Sequence, residues 1–380
     1  MYSKQLILIP ILIILFSCKT KEIVSEKPKN IIFIVGDGMG ISQITAGMYA
    51  NNHHLSFLER CKIVGLIKTH SKKELITDSA AGATAFATGK KTRNGMISMA
   101  MKDSSDYKTF IEYAEENNKA TGLVGTCSVT HATPACFYAH FPRRYDANQA
   151  IAVQFMNHDI DVLIGGGKAH FETREDGRNL IQELKDRNYV IVDSLTADFD
   201  TKNITKLINL YSPKHPGIIK ELKPDSVSVR YKWDEPMPLR GNVLPLGTEK
   251  ALEILSKDEN GFFMMIEGSQ IDWEGHNNSS QGIINEMKDF DNAVKIALDF
   301  AEKDGNTLVV ITADHETGGY AIIDGKLSGD SLVGAFTTLH HTADMVPVFA
   351  FGKGAEAFGG VYDNTEIFHK MMRAFSIQEK

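Results

Sequence analysis

Four short stretches carry residues that could do metal chemistry. In Glu267-Gly-Ser-Gln-Ile-Asp272-Trp-Glu-Gly-His276 an aspartate and a histidine stand four apart, so one helical turn aims both at one ion. Asp314-His315 is a second carboxylate–imidazole pair, His340-His341 offers another imidazole, and Asp37 sits inside Gly36-Asp37-Gly38-Met39-Gly40. Carboxylate with imidazole suits zinc, whereas carboxylate with hydroxyl suits magnesium. Gathered in one place, these carboxylates would repel one another unless cations neutralised them.

A candidate nucleophile lies in a different setting. From Ile76 to Gly89 the chain holds only small side chains apart from Ile76, Asp78 and Phe86. Five alanines favour helix and Gly89 stands where it would stop, which puts Ser79 in the first turn. Free N–H groups and the positive end of the dipole make that turn a site for an anion such as phosphate. The plainer alternative is a buried helix with Ser79 as its cap. Further on, Thr130-His131-Ala132-Thr133-Pro134-Ala135 leads to Arg143-Arg144, and an arginine's planar fork can hold two phosphate oxygens. Arg143 reads as a surface charge.

These residues need elements to bring them together. Continuous apolar runs at 31–35, 63–67, 122–124, 162–164, 262–266, 308–311 and 346–351 read as buried parallel-type strands. Helical patterns alternate with them, most clearly over Gln281–Asp304. The fold class is α/β, with a large, mostly parallel central sheet. Asp37, Glu267 and Asp314-His315 each follow one of these runs closely, and the carboxyl ends of parallel strands share the edge where ligands bind. Residues 168–250 hold six of the eleven prolines and little periodicity, and read as an insertion or cap. His53, His54, His158, His170, His215 and His369 lie in polar surroundings and read as surface residues.

Composition bounds the rest. The 380 residues are 43% hydrophobic, enough for a large core, and a net charge of -7 of mixed sign excludes a nucleic-acid surface. Lys4 followed by an apolar run from Leu6 to Phe16 and then Ser17-Cys18 reads as an export signal over 1–17. Its end resembles a bacterial lipoprotein box, with Cys18 lipidated, 18–29 a tether, and the periplasm or outer membrane as destination. Cys61, Cys127 and Cys136 form no disulfide framework; Cys127 and Cys136 could pair, or all three could be buried thiols.

Six motifs occur in order: Val35-Gly-Asp-Gly-Met-Gly40, Thr77-Asp-Ser-Ala-Ala81, His131-Ala-Thr-Pro134, Glu267-Gly with Ile271-Asp272 and His276, Thr312-Ala-Asp-His315, and His341-Thr342. With them the chain resembles the alkaline phosphatase family over residues 30–352. The resemblance implies one catalytic domain over 30–376 that hydrolyses phosphate monoesters of broad kind through a phosphoserine, in a homodimer. It implies that Ser79 is the nucleophile and, with Asp37, Asp314 and His315, a ligand of one zinc. Asp272, His276 and His341 would hold a second zinc. Asp37, Thr133 and Glu267 would hold a third ion, usually magnesium, and Arg144 would hold phosphate. His131 and Trp273 stand where some bacterial members carry Asp and Lys, which resembles cold-adapted and marine members. Weaker magnesium and phosphate binding and faster product release are expected from that pair. The alternative is a phosphodiesterase or other hydrolase of the same superfamily. The sulfatase pattern is absent, since Ser79-Ala-Ala-Gly-Ala lacks its proline and arginine. A metal- or phosphate-binding lipoprotein without catalysis would show a damaged nucleophile or ligand set, and every expected residue type is present.

Overall fold

The computed structural model describes residues 27–145, 147–217, 219, 239–329 and 331–379. The expected export signal, Cys18 and the tether as far as residue 26 lie outside the described residues. Fourteen strands are described: β1 Asn30–Gly36, β2 Ile63–Lys68, β3 Ala120–Ser128, β4 Val162–Gly166, β5 Val190–Val192, β6 Leu207–Leu210, β7 Phe262–Gly268, β8 Thr307–Thr312, β9 Glu316–Thr317, β10 Tyr320–Gly325, β11 Leu332–Phe336, β12 His341–Thr342, β13 Val346–Gly352 and β14 Gly360–Asp363. Ten of them form one sheet in the order β14-β2-β13-β8-β1-β7-β3-β4-β6-β5. All neighbours are parallel except β13, which runs antiparallel to both β2 and β8.

Every residue of β1, β7, β8 and β3 is buried. Successive strand side chains point to opposite faces, so both faces of this central region are covered. One covering group contains the helices Ile41–Ala50, Val243–Leu255 and Ser280–Asp304; another contains Ser79–Thr88, Ala132–Ala135 and Thr365–Phe375. The longest helix starts under a Ser279 side-chain cap, one residue before the start the periodicity gives, and ends where the periodicity ends it, at Asp304, with Gly305 in the left-handed region (φ 69°) as its C-cap.

The stretch 168–250 is more than a cover. Its β5 and β6 pair in parallel with each other and with β4, so they widen the sheet at one edge.

Register then aligns the chemistry. Val35 of β1 pairs with Glu267 on one side and Thr312 on the other, which sets Asp37 and Asp314, each two residues on, at the same level. Gly125 of β3 also pairs with Glu267, so Cys127 emerges at that same edge.

Candidate active site and metal centre

The helix Ser79–Thr88 presents Ser79 at its first position. Asp78, not Ser79, is the cap: one carboxylate oxygen accepts from the Ala81 N–H at 3.0 Å and the other from the Gly95 N–H at 3.0 Å. The serine hydroxyl is thereby left for chemistry. Small residues bring this helix in. A Cβ added at Gly82 would lie 3.1 Å from the Asp314 Cβ, so the helix sits so close to the end of β8 that any larger residue would press on Asp314. Gly38 (φ +74°) does the same for Asp37, since an added Cβ would sit 2.7 Å from the Asp272 Cα.

Two groups of ligand atoms form at the sheet edge. Around His315 Nε2 lie Asp314 Oδ2 at 3.2 Å, Ser79 Oγ at 3.4 Å and Asp37 Oδ1 at 3.5 Å. Beyond them, His276 Nε2 and His341 Nε2 face each other at 3.1 Å, each 3.4 Å from Asp272 Oδ1. Four ligands about 2.0–2.1 Å from a tetrahedral zinc stand roughly 3.3 Å apart. The separations from His315 Nε2 in the first group, 3.2–3.5 Å, and those among the three atoms of the second, 3.1–3.4 Å, are of that size.

The far side of each imidazole is tied down. His276 Nδ1 donates to the Leu339 carbonyl at 2.6 Å and His341 Nδ1 to the Thr77 carbonyl at 2.9 Å, so each Nε2 presents a lone pair. Thr317 Oγ1 donates to Asp272 Oδ1 at 2.5 Å, and its oxygen accepts from His315 Nδ1 at 3.2 Å. One hydroxyl therefore orients a ligand of each group. The His315 and His341 rings stack with centroids 3.6 Å apart.

The carboxylates carry an electrostatic problem that a cation solves. Both Asp37 oxygens, Asp314 Oδ2, Glu267 Oε1, Thr133 Oγ1 and His131 Nδ1 are buried with no hydrogen-bond partner among the described residues. Burial, then the charges of Asp314, Asp272 and Glu267, pushes the Asp37 carboxyl well above the usual carboxylate range. Burial and then Asp272 push Asp314 up to about 7, and burial pushes Glu267 up to about 7. Burial holds His315 well below its ordinary value, with His341 adding to it. For His341, burial lowers the value but Asp272 outweighs it, and the imidazole rises to about 9. Acids that resist ionising, packed beside imidazoles whose Nε2 atoms converge on them, fit divalent metal ions that would take the place of those protons. The residues therefore fit the group their chemistry implies.

Arg144 lies in the same pocket. Its Nε stands 3.7 Å from Asp78 Oδ2, its Nη1 is buried without a partner, and the guanidinium lies over the Tyr145 ring at 5.0 Å. Arg143 is exposed. His131 and Trp273 meet edge to face at 6.1 Å. His215, expected at the surface, is half-buried here: it lies 5.1 Å from Trp273 and 5.4 Å from His131, and its Nδ1 accepts from the Ser128 N–H at 3.2 Å. His158 is also held inside, by the Tyr138 carbonyl and Glu115. The structure thus brings together Asp37, Ser79, Asp314 and His315, and separately Asp272, His276 and His341. Thr133, Glu267, His131 and Cys127 adjoin the first group. Cys61, Cys127 and Cys136 are all free and buried.

A parallel sheet whose edge gathers buried carboxylates and imidazoles around a helix-borne serine defines an α/β metallohydrolase scaffold. The alkaline phosphatase family model matches residues 28–335. Alkaline phosphatase 3 of Bacillus subtilis is 35% identical, over 93% of this chain and 90% of its own. The Escherichia coli alkaline phosphatase is 31% identical, over 94% and 88%. The alkaline phosphatase of the Antarctic bacterium TAB5 superposes with a TM-score of 0.82 at 39% identity, over 93% of this chain and 99% of that one. Variants of the Antarctic enzyme with a histidine replaced by aspartate or glutamate carry Mg in its M3 site. The chain belongs to the alkaline phosphatase family, and is a metal-dependent phosphomonoesterase on that ground.

Proposed function

We propose that this chain hydrolyses phosphate monoesters through a phosphoserine on Ser79. The observation that carries the reading is the Ser79 hydroxyl at a helix N-terminus, 3.4 Å from His315 Nε2, in a site where both Asp37 carboxylate oxygens and Asp314 Oδ2 are buried with no hydrogen-bond partner among the described residues. Asp37, Asp314, His315 and Ser79 would hold one zinc ion, and Asp272, His276 and His341 a second. Asp37, Thr133 and Glu267 would hold a third ion, magnesium by their oxygen donors alone. Bound there, such ions lower the pKa of a hydroxyl and stabilise charge on a departing oxygen.

The chain's own residues do the rest. Ser79 Oγ gives up its proton and bonds to phosphorus in line with the ester oxygen, whose bond to phosphorus breaks as the alcohol departs with a proton. Water then attacks the phosphoserine from the opposite side, the bond from phosphorus to Oγ breaks, serine regains a proton and inorganic phosphate leaves. Arg144 Nη1 and the N–H groups of the first turn after Asp78 face the phosphate's equatorial oxygens, where charge is greatest. All these groups converge on phosphorus and none on the alcohol, which supports broad specificity. A homodimer and a lipid on Cys18, with export to the periplasm or outer membrane, complete the proposal. Sedimentation mass and the mass of the mature N-terminal peptide check them.

Inhibition by inorganic phosphate tests the binding half of this reading. Arg144→Ala removes a charge-assisted hydrogen-bond donor, so phosphate should bind roughly 10- to 100-fold more weakly, and kcat/KM should fall with it. Trp273→Lys should act oppositely and tighten inhibition, because an ammonium replaces a neutral indole beside the site. Unchanged inhibition in both variants would remove phosphate from this pocket.

A further inference from the structure

Cys127 is absent from the mechanism, yet it stands at the third metal position. Its thiol is 1% exposed and donates to Glu267 Oε2 at 3.2 Å. A donor atom of Cys127, one of His131 and one of Glu267 all lie within 4.8 Å of one another. Three unpartnered atoms converge with them: Glu267 Oε1, the Thr133 hydroxyl and His131 Nδ1, with Thr133 and Glu267 wholly buried. Among the described residues no other thiol is placed this way, for Cys136 donates to the Ala80 carbonyl and Cys61 lies in the hydrophobic core.

Donor softness then decides the ion. Magnesium takes hard oxygens in octahedral array and keeps several waters, a set that Asp37, Thr133 and Glu267 could supply. A sulfur and an imidazole nitrogen instead select zinc, cobalt or another borderline ion. Ions of this kind bind sulfur as thiolate, so the thiol proton that now points at Glu267 passes to solvent and frees Oε2 to ligate as well.

We propose that Cys127, with Glu267 and His131, makes the third position a thiolate site that takes zinc or a like thiophilic divalent ion in preference to magnesium. The inference rests on the metallohydrolase reading above and changes the identity of its third ion. The test uses the mature full-length protein, stripped of metal and titrated with Co(II). Filling the third position should produce sulfur-to-cobalt charge-transfer absorption in the near ultraviolet. Cys127→Ser should lose that band, and Cys61→Ser and Cys136→Ser should keep it. After dialysis against zinc and magnesium together, the wild type should retain a third zinc, and Cys127→Ser should hold it at least roughly tenfold more weakly, since even indirect partners of a metal cost 10–100-fold. Three cobalt ions bound without the band overturn the proposal, as does a band that survives in Cys127→Ser. In either case Ser79-dependent turnover would still stand, whereas a protein that takes up no ion at all overturns both readings.

Discussion

Replacing Ser79 by alanine is expected to lower the hydrolysis of a nitrophenyl phosphate ester by roughly 10³-fold or more, with no phosphate trapped on the protein. The loss should be chemical and not structural. Asp78 caps the helix without help from Ser79, and alanine is a good residue for the first helical turn. Among the described residues the hydroxyl's one hydrogen-bond-distance neighbour is His315 Nε2 at 3.4 Å. Tm should therefore stay within a few degrees of the wild type and metal content should change little. Residual turnover would come from direct attack of water on the bound ester, a route the remaining ligands and Arg144 still assist. Acid quenching during turnover should give a phosphopeptide spanning Ser79 in the wild type and none in Ser79→Ala. Full activity in the variant would remove Ser79 from the reaction.

Stripping the metal should expose a pH dependence that the loaded protein lacks. His341 rises to about 9 in the folded metal-free protein against 6.5 unfolded, so the stability it contributes is present below 6.5 and lost as pH rises through 9. Asp314 and Glu267, raised to about 7 by burial, act in the same direction up to that point. Below about 6.5 the buried neutral histidines oppose them: His131 and His315 sit well below their ordinary value and His215 falls to about 4, so each adds stability as pH rises to 6.5. The unopposed window runs from about 6.5 to about 9. Across it the metal-free protein should lose a few kcal/mol, or about 5–10 °C in Tm. Cations take the place of those protons in the loaded protein, whose Tm should stay flat. Scanning calorimetry of both forms at pH 6.5 and 9 checks this, and parallel curves would mean that the carboxylates and imidazoles do not share ions.

How much the sequence discloses depends on where the signal is written. β1, β3, β4, β7 and β8 are legible because a strand covered on both faces must be apolar throughout, and β2 and β13 are legible by their apolar runs although both carry exposed residues. β5 and β14 escape notice because they are short edge strands with exposed residues, and an edge needs no continuous hydrophobic run. β6 is buried, but its four residues lie in the proline-rich stretch that hides periodicity. The candidate metal ligands Asp37, Glu267, Asp314 and His315 are legible because each stands at or just beyond a strand end, and Asp272 and His276 by their helical spacing. Their supports are not. Thr317 lies two residues beyond His315 but reaches Asp272 across the fold, and a threonine in that place carries no signal of its own. Asp78 was open to view beside Ser79 in a cap position, and distance alone separates cap from nucleophile. His215 comes from a stretch of weak pattern and reaches Trp273 and His131 only through tertiary packing. Cys127 reads from the sequence as either half of a disulfide or a buried thiol, and its place beside Glu267 follows only from the register of β3 on β7.

The most direct measurement is release of nitrophenolate from nitrophenyl phosphate at alkaline pH, made before chelation, after chelation, and after metals are restored. Activity lost on chelation and recovered when zinc and magnesium return is the predicted result. Activity that survives complete removal of metal, or none in any state from protein that holds its metal, would contradict the account.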